Sequence, residues 1–420
     1  MRDVRMRGFR QRTAVKEALR VLEERTAVLG PEQVGIRDAA GRVAAAEITA
    51  RVSVPHFDRA AMDGYAVVGE STFGATAYAP VELRIVGESR PGKPYSGAIT
   101  RGEAVRITTG APVPPGADAV LMAENAAETE NGSGVRVSEA IAPGKHVGRV
   151  GEDVPAGSSV LARGRRLRAQ DVGLLASVGI AEISVIRRPS VRILITGDEL
   201  LPPGSTPQGA CIVDSNSLVI TELARRDGAL SPVVVYVEDR RDAVREAMEA
   251  APEDVLLVSG GSSVGPEDHA PLVLAAIGEL TVHGVAMRPS SPAGFGFLRP
   301  AGQSTIERAV FLLPGNPVSC LCAYEFFAGP TIRALGGRPR VWPHRRIRAA
   351  VAAKIVSELG RTDYVRVQME ERAGKDTVRP IMTSGASILS STTRADGVVI
   401  VASEREGYGE GELVDVLLYE

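Results

Sequence analysis

The amino-acid sequence predicts a multidomain protein in which an α/β domain with a parallel sheet is combined with β domains. Between about residues 189 and 335, apolar strands alternate with helices, which is typical of a parallel sheet with right-handed crossovers. On both sides of this stretch, short β-prone runs are separated by glycine and proline, as in all-β domains. The chain has 420 residues, and at roughly 150 residues per domain it is too long for a single core.

The predicted elements follow from the apolar pattern. An amphipathic helix is expected after Thr13, with Val15, Leu19 and Leu22 on its apolar face, and must pack on a later part of the chain. In the α/β stretch the predicted strands are 191–196, 233–237, 255–258 and 309–313, and the predicted helices are 217–226, 240–250, 267–277 and about 318–335. Further strands are predicted at 81–86, 104–107, 119–122 and 134–137, and in a terminal barrel or sandwich at 349–355, 364–370, 397–401 and 412–418.

The loop after the strand at 255–258 has the composition of an anion-binding turn. Gly260, Gly261 and Gly265 leave backbone N–H groups open to an anion. Pro266 suits the first position of the next helix, and Asp268 falls in its first turn, where the helix dipole favours a negative charge or a phosphate. A tight strand-to-helix turn with a capping acid explains this loop equally well.

Two more strands end in glycine and polar residues. Asn316 is placed to cap a helix that has Pro317 in its first turn. Open α/β sheets build ligand sites at the carboxyl ends of their strands, so the repetition predicts such a site. The turns are Pro314, Gly315, Asn316 and Pro317 after one strand, and Gly197, Asp198 and Glu199 after the other.

Three polar turns in the β-prone stretch are weaker candidates. Asp63 stands at a loop tip before a strand, Thr109 lies in a turn that bears two hydroxyl groups, and Glu152 follows Gly151 in an acidic turn. Ordinary Asx-type turns would give the same pattern.

Composition excludes several classes of function. The 49 Lys and Arg against 51 Asp and Glu give a net charge of −2, and with 8 Phe, 8 Tyr and 1 Trp the chain has neither the charge nor the aromatic residues of a nucleic-acid-binding protein. No apolar run approaches the ~18 residues of a membrane span, and the basic start is not followed by the apolar segment of a secretory signal. Three cysteines and five scattered histidines lack metal-binding spacing, which indicates a reducing cytoplasm and argues against a zinc enzyme.

Seven motifs in order resemble the molybdopterin molybdenumtransferases of molybdenum cofactor biosynthesis, a family that includes the E domain of gephyrin. They are FDRAAMDGYAV at 57–67, RITTGAP at 106–112, GED at 151–153, TGDEL at 196–200, SGGSSVGPED at 259–268, LPGNPVS at 313–319 and SSTTRADG at 390–397. The resemblance covers almost the whole chain.

The resemblance implies a domain division and a homodimer, in which the β domain of one subunit faces the α/β domain of the other. The implied segments are a helix at 8–30 that packs with the α/β domain, an elongated linking domain at 31–49 and 157–185, an inserted β domain at 50–156, an α/β molybdopterin-binding domain at 186–335 and a C-terminal β-barrel at 336–420.

The resemblance also implies a reaction, in which molybdate is inserted into adenylylated molybdopterin with Mg²⁺-dependent release of AMP. Candidate protein partners are the adenylyltransferase and molybdoenzymes or their chaperones. Catalysis is assigned to Asp63, Thr109, Glu152 and Asp268, and the metal to Asp239 and Asp268. Cofactor binding is assigned to Thr196, Gly197, Asp198, Glu199, Ser259, Gly260, Gly261, Ser263, Gly265, Arg288, Pro314, Gly315, Asn316 and Pro317.

Two departures from the family pattern remove expected cations. Gly148 stands where the family usually has an arginine, and Ser291 where it usually has a lysine, so Arg149 and Arg288 are the expected substitutes. One alternative is therefore an impaired paralogue that binds molybdopterin or acts as a scaffold. Another is a molybdopterin adenylyltransferase, although the four-domain organisation argues against it.

Overall fold

A computed structural model describes residues 12–261, 268–299, 307–372, 374–381 and 386–419. The chain forms two compact units. One unit is Gln33–Val185, and the other combines Met1–Glu32 with Ile186–Glu420. The finer division expected from the family resemblance remains a prediction.

The unit Gln33–Val185 contains a six-stranded sheet. The core on one face of this sheet includes three fully buried residues of its strands, Leu83, Leu121 and Val135. The β structure predicted here is confirmed, and the strand expected at 81–86 extends to Ser89. In spatial order the strands are Ala119–Met122, Gly64–Val67, Glu103–Ile107, Val81–Ser89, Gly134–Val137 and Ala126–Glu128.

A second core in the same unit surrounds the helix Ala169–Ser177. Leu175 and Val178 are fully buried in it. Beside it the strands Ile48–Thr49 and Ser159–Leu161 pair in antiparallel fashion. Further short elements are the strands Pro31–Gly35, Arg59–Ala60, Val147–Gly148 and Glu182–Ile186, and the 3₁₀ turns Ile36–Asp38, Gly69–Thr72 and Ala123–Asn125.

The second unit is built on another six-stranded sheet. Its strand Val255–Ser259 is buried along its whole length, because both faces of the sheet are covered. Leu194 and Val258 pack with Val244 and Leu274 of the covering helices. In spatial order the strands are Val233–Val237, Val191–Thr196, Val255–Ser259, Arg308–Leu313, Gly294–Leu298 and Glu279–His283.

The four strands predicted to form a parallel sheet do so, and the sheet continues at one edge with antiparallel strands. The first four strands are parallel, but Gly294–Leu298 is antiparallel to both Arg308–Leu313 and Glu279–His283. A parallel return would need a crossover of about a dozen residues or more. The connection from Leu298 to Arg308 is shorter than that, so the chain turns back on itself.

Helices follow the parallel strands, close to the predicted positions. Asn216–Asp227 ends at Gly228, whose φ of 102° is the left-handed conformation expected of a helix-terminating glycine. In the part of the chain that the structure describes, no helix is both long and apolar enough to cross a bilayer. The other helices are Arg241–Glu249, Ala270–Ile277, Pro317–Ala323 and Gly329–Leu335, with a π-helical turn at Tyr324–Ala328 between the last two.

One helix begins later than predicted. The helix expected at 267–277 spans Ala270–Ile277, so Asp268 precedes it rather than lying in its first turn. Pro271 explains the shift, because a residue without a backbone N–H is tolerated only in the first turn of a helix.

The first helix, Val15–Arg25, buries two of its three predicted apolar residues, and the third was wrongly assigned. Val15, Ala18 and Leu22 are buried, whereas Leu19 is 36% exposed. Thr13 does not cap this helix, because its backbone bonds to Gly284 and Ala286 of the same unit.

The chain ends in a closed five-stranded barrel, which confirms the prediction of a C-terminal barrel. Closure arises because Thr362–Arg372 pairs both with Lys375–Pro380 and with Gly397–Val401. Val367, Val378 and Val416 are fully buried inside. The other barrel strands are Arg345–Val351 and Leu413–Leu418. Further short elements of the second unit are the strands Leu200–Leu201, Ile212–Val213, Met287–Arg288, Ile355–Val356 and Gly407–Tyr408 and the helix Ser390–Thr393.

Buried charges tie the π-helical turn to the end of the helix Asn216–Asp227. Asp227 is buried and accepts hydrogen bonds from Arg333 Nη1 at 2.7 Å and from Tyr324 Oη at 3.0 Å. Although burial opposes ionisation, hydrogen bonds from His344 and Arg226 lower the pKa of the nearby Glu325 to about 2. Glu325 is therefore ionised at neutral pH. Both buried carboxylates depend on their hydrogen-bond partners.

We expect Asp227→Ala to lower the free energy of unfolding by about 3–5 kcal/mol, because it leaves a buried guanidinium without its partner. Urea denaturation would measure this loss. Asp415→Ala is the control, since Asp415 is 53% exposed and lies 3.7 Å from Arg346. This variant should lose less than about 1 kcal/mol, and equal losses for both would contradict the prediction.

Candidate functional site

The turns after the parallel strands approach one another at one edge of the sheet. Gly260 has a φ of 96°, and a Cβ there would lie 2.2 Å from the carbonyl oxygen of Thr196. A Cβ on Gly315 would lie 3.7 Å from the Cα of Gly260. Only glycine at 260 allows this backbone contact. The three turns predicted from sequence therefore meet.

Asn216 joins two of these turns and was not predicted as a site residue. Its Nδ2 donates to Ser259 Oγ and to the carbonyl oxygen of Gly315, each at 2.9 Å. Ser259 Oγ also lies 3.8 Å from the Sγ of the buried Cys320. In the sequence, Asn216 is indistinguishable from an ordinary polar residue at a helix start.

One buried hydroxyl at this edge has no hydrogen-bond partner among the described residues. Thr196 is 3% exposed, and its Oγ1 has no hydrogen-bond partner among the described residues. Because buried hydroxyl groups are normally hydrogen-bonded, an orphaned one at a strand end makes Thr196 a candidate for binding a ligand. The predicted site residues Ser263 and Gly265 lie outside the described residues.

Two of the predicted acidic residues, Asp198 and Asp239, are in contact. Asp198 Oδ1 accepts a hydrogen bond from the backbone N of Asp239 at 3.1 Å. The carboxylate of Glu199 lies against Gly197, since a Cβ on Gly197 would fall 2.8 Å from Glu199 Oε2. Asp268 is half-buried.

The described residues do not form a metal site with three or more protein ligands, but they are compatible with a Mg²⁺ site that uses one or two carboxylates. Among them, no three His, Cys, Asp or Glu side chains are grouped to hold a metal. Mg²⁺ usually takes only one or two protein carboxylates and completes its shell with waters and phosphate oxygens. The adjacent Asp198 and Asp239 are consistent with that arrangement.

Asn316 begins the helix Pro317–Ala323, but its side chain does not cap it. Its Oδ1 instead accepts a hydrogen bond from Ser387 Oγ at 2.9 Å. The predicted capping role was wrong, because a partner distant in sequence competes for the same oxygen.

Beside this turn is a pocket of about 340 Å³ that contains two arginines, Arg288 and Arg366. Ser290, in its wall, is buried at a φ of 83°, and its Oγ donates to the carbonyl oxygen of Ser319. A non-glycine residue at such a φ is strained, and strain of this kind is concentrated at functional sites. The predicted Arg288 and the serine at 291 both line the pocket.

Arg366 is the second site residue that sequence analysis missed. It is 3% exposed, and neither its Nε nor its Nη1 has a hydrogen-bond partner in the described part of the chain. Burial lowers the pKa of this guanidinium from its ordinary value. The available signal was an arginine between two valines, Val365 and Val367, in a predicted strand.

In the other unit, the predicted Asp63 and Thr109 are brought together. Asp63 Oδ1 accepts hydrogen bonds from the backbone N of Thr109 at 2.6 Å and from its Oγ1 at 2.8 Å. The backbone bond first, and then the hydroxyl, lower the pKa of Asp63, which is exposed. This carboxylate is therefore ionised at neutral pH.

Glu152 lies in a neighbouring segment of the same unit. Its Oε2 accepts from the backbone N of Arg149 at 3.0 Å, and its Oε1 lies 3.4 Å from Arg59 Nη2. Arg59–Ala60 pairs with Val147–Gly148 on one side, and Ala60 accepts from the backbone N of Gly110 on the other. One short strand thus connects the turn of Thr109 to the turn of Glu152.

Three family models match the chain in order. The model of the MoeA N-terminal region (domain I and II) matches residues 13–179. A model described as a probable molybdopterin binding domain matches residues 192–334. The model of the MoeA C-terminal region (domain IV) matches residues 348–419. Together they cover most of the chain.

Relatives of similar length agree with these matches. The chain is 36% identical to molybdopterin molybdenumtransferase 2 of Mycobacterium tuberculosis over 86% of this chain and 89% of that one. It is 32% identical to the molybdopterin molybdenumtransferase of Haemophilus influenzae, over 92% of this chain and 93% of that one. A crystal structure of the molybdopterin biosynthesis moeA protein from Pyrococcus horikoshii matches with a TM-score of 0.78 at 30% identity, covering 97% of this chain and all of that one. The chain belongs to the molybdopterin molybdenumtransferase (MoeA) family.

Proposed function

We propose that this protein inserts molybdate into adenylylated molybdopterin and releases AMP in a Mg²⁺-dependent reaction. The observation that carries the proposal is the pocket with Arg288 and the buried, incompletely bonded Arg366. A buried guanidinium without partners is costly, and a dianionic oxyanion would supply both the charge and the acceptors that it lacks. Molybdate is such an oxyanion.

The edge of the sheet beside this pocket suits the phosphate-bearing substrate. The turns of Gly260 and Gly315 present backbone rather than side chains, and Thr196 offers an unpaired hydroxyl. Backbone N–H groups in glycine turns are suited to phosphate. We assign molybdopterin binding to these turns, with Asn216 holding them together.

The carboxylates have separate proposed roles. Asp239 and Asp268 would hold Mg²⁺, with Asp198 bonded to the backbone of Asp239. The ion, when bound, would neutralise charge on the phosphates. Asp63 is held ionised by Thr109, so it would orient a water molecule better than it would retain a proton. Glu152 would act with this pair.

Two alternatives are less well supported. An impaired paralogue was suggested by Ser291, yet the pocket beside it already holds two arginines. A molybdopterin adenylyltransferase does not account for the matches to both the N-terminal and the C-terminal MoeA regions.

Asp268→Asn tests the reaction. We expect the variant to fold normally and to release AMP at least about tenfold more slowly with Mg²⁺ and molybdate present, because a carboxylate at a phosphoryl site has been neutralised. Asp242→Asn is the control, since Asp242 is also an acid near a helix start but lies after a different strand. Unchanged AMP release by Asp268→Asn would reject its catalytic role.

Arg366→Ala tests the oxyanion pocket. We expect isothermal titration with molybdate to show a loss of about tenfold to a hundredfold in affinity, since a charge-assisted hydrogen bond contributes about 1.5–3 kcal/mol. Arg288→Ala should lose affinity in the same direction. The matched control is Arg346→Ala, an exposed arginine on the barrel.

Ser291→Lys tests whether the lysine that the family usually has at this position is simply lost or is replaced by the two arginines of the pocket. Because two arginines already line the pocket, we expect this variant to gain less than about threefold in molybdate affinity in the same titration. A gain of tenfold or more would show that the arginines do not replace the lysine, and would favour the impaired paralogue.

We also propose a homodimer, as the family resemblance implies. Sedimentation at micromolar concentration should give about twice the 44.2 kDa mass of the chain. A species of one chain mass at that concentration would refute this proposal without affecting the assignment of the oxyanion pocket.

A further inference from the structure

Residue 148 has no side chain, and the space that a side chain would need is already filled. A Cβ on Gly148 would lie 2.8 Å from Glu152 Oε1 and 3.3 Å from both Cγ and Nε of Arg59. The backbone of Gly148 does not require glycine, since it is not among the residues with positive φ. Glycine is therefore explained here by the side chains of Arg59 and Glu152.

Arg149, the expected substitute for a cation at 148, is committed elsewhere. Its Nη1 forms an ion pair with Asp58 Oδ2 at 2.6 Å, and Asp58 Oδ1 accepts from the backbone N of Val150 at 2.9 Å. Only the backbone of Arg149 reaches Glu152. In the described part of the chain, Arg59 supplies the guanidinium that lies at this carboxylate.

Arg59 is well placed to contact a ligand as well. Its side chain is 46% exposed, and its one polar contact among the described residues is from Nη2 to Glu152 Oε1 at 3.4 Å. The guanidinium has five N–H donors, so most of them face no acceptor among the described residues. Its backbone is held between two strands, because Gly148 is its register partner and Pro112 forms a bridge on the other side.

The charge of this cluster makes such a cation necessary. Asp58, Asp63 and Glu152 carry three negative charges, and the one on Asp58 is compensated by Arg149. A phosphoanhydride approaching Asp63 and Glu152 would be repelled unless a cation were present. A planar guanidinium is suited to this task because it can bond a carboxylate and a phosphate at once.

We propose that Arg59 positions Glu152 and contacts the phosphoanhydride of the substrate, and that residue 148 is glycine to leave room for it. This inference rests on the proposed function. It assigns to Arg59 a role that neither its place in the sequence nor the family resemblance indicated.

The test compares AMP release by Arg59→Ala, Arg59→Lys and Gly148→Ala with that of the wild-type protein. We expect Arg59→Ala to lower kcat/KM by about tenfold or more through a raised KM, and Arg59→Lys to recover part of it. Gly148→Ala should also lower kcat/KM, because its Cβ displaces Glu152 and Arg59. Combining it with Arg59→Ala should cost less than the two losses multiplied, since both act on one contact.

A transfer of the guanidinium provides a rescue that a merely structural role would not show. Because Gly148 and Arg59 face each other in register, Arg59→Ser combined with Gly148→Arg places the cation on the opposite strand. We expect this double variant to recover activity relative to Arg59→Ser. Arg136→Ala is the control, since Arg136 is 62% exposed in the same unit and pairs with Glu82.

Binding of ADP separates failure of this inference from failure of the proposed function. ADP carries a phosphoanhydride, and Arg59→Ala should bind it at least about tenfold more weakly in isothermal titration. If the wild-type protein releases no AMP, the proposed function fails and the ADP titration still decides the role of Arg59. Unchanged ADP affinity in Arg59→Ala, or unchanged kcat/KM in an active enzyme, would overturn the inference.

Discussion

The close backbone approach at Gly260 is the constraint on which the strand-end site depends. A side chain there would collide with the carbonyl oxygen of Thr196, and the turns could not meet. The approach brings polar backbone groups together without side chains between them. Asn216 then fixes the spacing by bonding both Ser259 and Gly315. Two distant segments of sequence are thereby held in one geometry before any substrate arrives, which lowers the entropic cost of binding.

Much of the fold was predictable because the decisive signals are local. The strand Val255–Ser259 is apolar at almost every position, and such a run fits only a sheet covered on both faces. The helix end at Gly228 was equally clear. The antiparallel strand Gly294–Leu298 was not predicted, because an apolar run carries no information about strand direction. The face of the first helix was misjudged at Leu19, because Ala18, a smaller residue, occupies the buried position.

The parts of the site that turns form were predictable from the sequence. The parts that depend on tertiary contacts were not. Glycine and acidic residues after strands identified the turns that meet at Gly260. Asn216 and Arg366 were missed, since the first resembles a helix cap and the second a strand residue until the packing is known. The role expected of Arg149 as a substitute cation stays a prediction. Its guanidinium is held by Asp58, which no spacing in the sequence reveals.

The strand Met287–Arg288 pairs in parallel with Thr362–Asp363 of the barrel, so the wall of the pocket with Arg288 and Arg366 is assembled from two regions of the chain. The barrel region therefore forms part of this cavity, because it contributes Arg366 while the α/β region lines the other side. An α/β domain standing alone could offer the glycine turns to a pterin phosphate but would lack this half of the cavity. Selectivity for a metal oxyanion would then be a property that the fold acquires only with its last eighty or so residues.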